Sequence, residues 1–114
     1  MKVTRLSEAV PYNAPKHSPT VHTMHLQHKK LGCDAPFWVG CSYYLPGAAA
    51  DWDASPLDKV YVVLDGELTI AFDDGEVQLG PLDSIYIGPN ESRQIRNDTK
   101  QVTTMLVVLP YPPQ

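Results

Sequence analysis

Eleven prolines and seven glycines in 114 residues cut this chain into pieces too short for long helices. A proline inside a helix costs about 3 kcal/mol, so the runs between these breaks are expected to be strands and turns. Val60 to Leu64 is β-branched and aromatic, and it stops at Asp65-Gly66. Leu68, Ile70 and Phe72 then alternate with Glu67, Thr69 and Ala71, the period-two pattern of a strand with one buried face. Asp73-Asp74-Gly75 reads as a hairpin turn, and Val77 and Leu79 resume the alternation on the return. Ser84–Ile87, Arg93–Asn97, Val102–Leu109, Phe37–Leu45 and Thr20–Gln27 complete about eight short strands. Strands with one apolar face must cover it with another sheet, so the pattern predicts an all-β sandwich or barrel.

The length suits one domain, 1–114, with an irregular N-terminal arm over 1–19 and the barrel over 20–110. A chain of this size buries enough surface to fold without disulfides or metal. The formal net charge of −4 gives no basic grip for nucleic acid or an anionic membrane surface. No apolar run approaches the length of a membrane span, and the first residues lack the apolar core of a signal peptide. Cys33 and Cys41 are too few for a disulfide framework and fit no zinc spacing. The expectation is a cytoplasmic protein without nucleic-acid or membrane partners.

Two stretches resemble the sequence motifs of the cupins. The first motif is Gly, five residues, His-x-His, three or four residues, Glu, six residues, Gly, and Gly47 and Gly66 stand at its ends. The second is Gly, five residues, Pro-x-Gly, two residues, His, three residues, Asn, which DSIYIGPNESRQIRN resembles with Asn97 closing it. The resemblance implies a double-stranded β-helix, the jelly-roll barrel of that family. It also implies a site inside the barrel, where the family's metal ligands lie. Laid onto these frames, Asp53 and Ser55 take the two His positions, Lys59 the Glu position and Arg93 the third His position. Leu82, Gly88 and Asn90 replace the second motif's Gly, Pro and Gly.

A divalent first-row metal wants imidazole and carboxylate donors, and only Asp53 of the four offers one. Two cations about 4 Å apart repel by roughly 4 kcal/mol at an effective dielectric near 20, so Lys59 and Arg93 would oppose a bound dication. The expectation is therefore no metal and no other cofactor. Asp53, Lys59 and Arg93 can be read as a closed ion-pair cluster. They can also be read as a catalytic pocket that holds a small anionic metabolite, with Asp53 as acid or base. Asp51, Trp52, Ser55 and Tyr61 are the candidate ligand-binding residues, and Asp51 could replace Asp53 if the loop length differs. The functions this leaves open are a metal-independent lyase or isomerase acting on a carboxylate metabolite, and a non-catalytic binding module. A metal-dependent oxygenase or decarboxylase with rearranged ligands such as Asp51, Asp53 and His residues is the third.

The run HTMHLQH invites a metal reading, but on a strand His22 and His25 point to opposite faces. His22 and His28 would share a face about 20 Å apart. Surface or lip positions are the expectation, with one histidine reaching into the barrel as the alternative. Cys41 reads as a small core residue, since no base for a nucleophile is visible. Open barrel edges and surplus aromatics predict a homodimer.

Overall fold

The computed structural model describes residues 1–113. Among them are the strands β1 Val10–Tyr12, β2 Val21–Gln27, β3 Phe37–Tyr44, β4 Ala49–Asp53 and β5 Lys59–Asp65. The rest are β6 Leu68–Phe72, β7 Gly75–Leu79, β8 Ser84–Ile87, β9 Arg93–Arg96 and β10 Thr103–Pro110. Two sheets result, with strand orders β1-β2-β3-β10-β5-β8 and β4-β9-β6-β7. The pairing is nested: β3 with β10, β4 with β9, β5 with β8 and β6 with β7, all antiparallel. A long ribbon folded back at the Asp73-Asp74 turn and wound between two sheets is a jelly roll.

Two strands lie where no strand is expected. Val10–Tyr12 falls inside the stretch read as an irregular arm and pairs with β2. Ala49–Asp53 has no β-branched residue, and pairing with β9 imposes its extended form. Its outer edge is taken by the arm: Ser18 N–H donates to Ala49 O at 2.8 Å, and Asp51 N–H to Lys16 O at 2.9 Å. The arm thus crosses from one sheet to the other.

Alternation sorts the side chains as the period-two rule requires. Tyr61 and Val63 on β5, Ile70 on β6, Ile95 on β9 and Met105 and Val107 on β10 turn inward and build the core with Tyr44, Leu68, Leu79 and Ile87. Asn97 is fully buried and closes the turn between β9 and β10. Its amide donates to Tyr44 O and Gln101 O at 2.8 and 2.7 Å, and its Oδ1 accepts from Thr99 N–H. The outward row across the larger sheet reads Met24, Cys41, Leu106, Val62, and the next reads Val39, Val108, Val60, Tyr86. This outer face is apolar, with Phe37, Val60, Leu64 and Tyr86 exposed on it.

Candidate functional site

Between the sheets the core gives way to a cavity of about 210 Å³. Its walls are aromatic and apolar: Tyr12, Trp38, Tyr44, Tyr61, Ile95, Met105, Val107 and Leu109. Its polar groups are Asp53, Ser55, Lys59, Arg93, His17 and Ser42. All four positions that the motif frames assign to ligands therefore converge. Lys59 and Tyr61 come from one face of β5, Arg93 from β9, and Asp53 from the end of β4 opposite Arg93. A register shift between Ala50 and Asp53 interrupts the ladder, as a bulge does when it re-aims a side chain.

The charges do not form a closed cluster. Asp53 pairs with Lys16 of the arm, Oδ1 to Nζ at 3.2 Å. Burial pushes the Asp53 carboxyl up, but the Lys16 hydrogen bond and charge, with Arg93, outweigh it and leave the carboxyl below its ordinary value. Arg93 is buried, and its Nη1 donates to the backbone carbonyl of Asp51 at 3.0 Å. Its Nε has no partner among the described residues, and neither has the hydroxyl of Tyr44. Lys59 is also buried and makes no ion pair among the described residues. Burial first, and then the Arg93 charge, lowers the pKa of its ammonium. Burial likewise raises the Tyr44 phenol.

Asp51 and Trp52 do not line the cavity. Asp51 turns back to accept from Trp52 N–H at 2.8 Å, and Trp52 is exposed. Ala50 and Asp53 both face inward although three residues apart, because the register shift between them breaks the two-residue alternation and re-aims Asp53 into the cavity. Tyr61 and Ser55 do reach the cavity.

His22 is exposed, as expected, but His17 and His25 depart from surface positions. His17 lines the cavity. His25 is buried, stacked between Tyr12 at 4.2 Å and His28 at 4.0 Å, with the Trp38 ring edge-on at 5.0 Å. A register shift between His25 and Gln27 brings His28 beside His25. Burial, with the neighbouring His28 and Lys30, lowers the His25 pKa to about 4, so it is a neutral packing residue at pH 7. Its ring supports Tyr12, a cavity wall supplied by β1. Cys41 is buried on the opposite face of β3 from Ser42 and Tyr44, and burial raises its thiol, which suits a packing role.

The metal the resemblance brings with it can be tested against these donors. Among the described residues no three of His, Cys, Asp and Glu come together as a ligand set. The cavity offers one carboxylate and one imidazole beside two cations, which does not fit a divalent first-row ion. The rearranged set with Asp51 fails on geometry, because that carboxylate turns away.

Residues 42–109 match the cupin domain family. The chain is a cupin. A beta-D-galactosidase of Mycobacterium tuberculosis is 44% identical to this cupin over 98% of the chain and 96% of that protein. The polyketide cyclase RemF of Streptomyces resistomycificus superposes with a TM-score of 0.85 at 20% identity, covering 99% of this cupin and 82% of the cyclase. A predicted oxalate decarboxylase of Thermotoga maritima gives 0.81 at 21% identity, covering 97% of this cupin and all of that chain. These two structural likenesses bear on the fold alone. Sequence reading finds the motif positions of this cupin's site and allows for one histidine in the barrel, but it misses Tyr12 and does not single out His17. Both sit on the arm, and only the Pro15 and Pro19 flanks of His17 hint that the segment is held rather than loose.

Proposed function

We propose that this cupin is a metal-independent enzyme that binds one sugar ring in its cavity and acts on a galactoside carrying a carboxylate. The observation that carries the reading is the pair of buried cations, Lys59 and Arg93, which have no salt bridge among the described residues, in an aromatic-walled cavity. A planar guanidinium grips a carboxylate through two parallel hydrogen bonds, and Lys59 adds a compact charge. A volume of about 210 Å³ lies below the 300–1,000 Å³ usual for drug-sized ligands, which suits a single small metabolite. Rings such as Trp38 and Tyr61 offer the apolar faces that a pyranose packs against. The 44% identity to a beta-D-galactosidase supports a galactose-configured substrate. Asp53, kept ionised by Lys16, stabilises positive charge that develops at the sugar ring.

The test is turnover of an aryl β-D-galacturonide and an aryl β-D-galactoside by chelator-treated protein. Turnover of both is expected, with the galacturonide favoured by at least about tenfold, the value of roughly 1.4 kcal/mol from one charge contact. Loss of turnover on chelation, restored by a metal, would overturn the metal-free part. Binding without turnover would leave a binding module.

A lyase or isomerase is the second reading, favoured by the same two cations, which could stabilise the enolate formed when a proton is removed beside a carboxylate. The reading also includes a cytoplasmic homodimer joined through the outer face of the larger sheet. Two flat apolar sheet faces pack well against each other about a twofold axis. Light scattering should give twice the chain mass of 12.6 kDa, and a monomer at micromolar concentration would remove the dimer alone.

A further inference from the structure

Nothing in the cupin motif frames contains His17, yet the fold puts it in the cavity wall. Its backbone is fixed on both sides. Asp51 N–H donates to Lys16 O at 2.9 Å, Ser18 N–H to Ala49 O at 2.8 Å, and Ala49 N–H to Ser18 Oγ at 3.0 Å. An isolated bridge pairs His17 itself with Ala50. The ring is oriented as well, since Nδ1 lies 2.8 Å from Pro15 O. A carbonyl can only accept, so Nδ1 carries the proton and Nε2 keeps its lone pair in the neutral ring. No residue among those described hydrogen-bonds to Nε2. An imidazole oriented through Nδ1, with Nε2 free, is the arrangement of a general base. Among the described residues Asp53 is the one carboxylate lining the cavity, so the usual pair of carboxylates of a glycosidase is incomplete without a second group.

We propose that His17 is that second group, the catalytic base of the galactoside hydrolysis on which this inference rests. Water gives a proton to Nε2 and its oxygen bonds to C1 of the sugar. The bond from C1 to the leaving oxygen breaks with its electron pair on that oxygen, which takes a proton from solvent. The imidazolium then returns its proton to solvent, so one water is consumed and no oxidant or co-reactant is needed.

The groups around the ring set its pH behaviour. Burial lowers its pKa most, the Pro15 carbonyl works against that, Arg93 lowers it further, and Asp53 raises it. Lys16 holds Asp53, and Lys59 and Tyr44 share the cavity. The net direction is downward, so the ring is neutral at pH 7 and is lost as a base only when pH falls below the ordinary histidine value near 6.5.

The experiment measures aryl galacturonide hydrolysis and galacturonate binding by wild-type, His17→Gln and His17→Ala protein. Expected are a kcat loss of about 10²–10⁴-fold with KM within a few fold, the size usual for removing a general base. Expected too are loss of the acid limb of the pH profile and partial rescue of His17→Ala by added imidazole. Galacturonate should bind the folded variants about as well as wild type. Retained kcat in His17→Gln, or a kcat loss with no imidazole rescue and an unchanged acid limb, would overturn the base while leaving the substrate reading intact. No turnover by wild type would overturn both. If His17→Gln unfolds, imidazole rescue and pH profile in His17→Ala decide.

Discussion

Replacing Gly66 by Ala should destabilise this protein by about 2–4 kcal/mol, from a left-handed backbone and an overpacked contact. Gly66 has φ +85°, and a Cβ there would lie 2.9 Å from the Cα of Thr103, with the Thr103 side chain closer still. Thr103 cannot yield. It is fully buried, and its hydroxyl both donates to Glu67 O at 2.8 Å and accepts from Glu67 N–H at 3.0 Å. Against a total stability of roughly 5–15 kcal/mol, the melting temperature should fall by about 10 °C or more. Gly47→Ala is the control, with a similar φ of +80° and nothing within 4 Å of the new Cβ. It should cost only the backbone part, about 1–2 kcal/mol. Equal losses in urea unfolding of the two variants would contradict the role given to the Thr103 contact.

Gly66 also illustrates why so much of the fold is legible. Runs such as Leu68–Phe72 and Ser84–Ile87 alternate in residue type, and a glycine or turn pair marks where each must stop. The arm and β4 are not legible in that way. Val10–Tyr12 contains a proline, and Ala49–Asp53 is Ala and Asp around a single Trp, so neither carries the alternating pattern of a strand. Their shape comes from partners distant in sequence: Thr23 opposite Tyr12, and Arg96 opposite Ala49.

Arg93→Ala should lower kcat/KM for a carboxylate substrate by about 10²–10³-fold, the value of one charge-assisted bidentate contact. The fold should survive. Among the described residues Arg93 has one hydrogen bond, to the Asp51 carbonyl, and no salt bridge, and its removal relieves repulsion on Lys59. Breaking a closed buried ion pair would instead cost about 3–5 kcal/mol. Urea unfolding and steady-state kinetics of the same variant separate the two. A large activity loss with at most about 1–2 kcal/mol of destabilisation supports the pocket. Severe unfolding supports a structural cluster.

The site is partly legible for a related reason. Spacing along β4, β5 and β9 is set by the ladder, so the motif frames place Asp53, Ser55, Lys59 and Arg93 on one cavity. Which partner each charge takes is not a matter of spacing. Asp53 meets Lys16 rather than Lys59 because the arm closes along β4, and that approach is set by backbone bonds from Lys16 and Ser18. Tyr61 turns inward by the plain alternation of β5, whereas Trp52 turns outward within the register shift of β4, which residue spacing does not show.

Calorimetric titration of chelator-treated protein with galacturonate, and with galactose for comparison, tests the central claim most directly. Saturable one-site binding of galacturonate, weaker for galactose and abolished in Arg93→Ala, is the predicted result. Equal binding of the two sugars, or galacturonate binding that requires added metal, would contradict an anion-reading cavity built on Lys59 and Arg93.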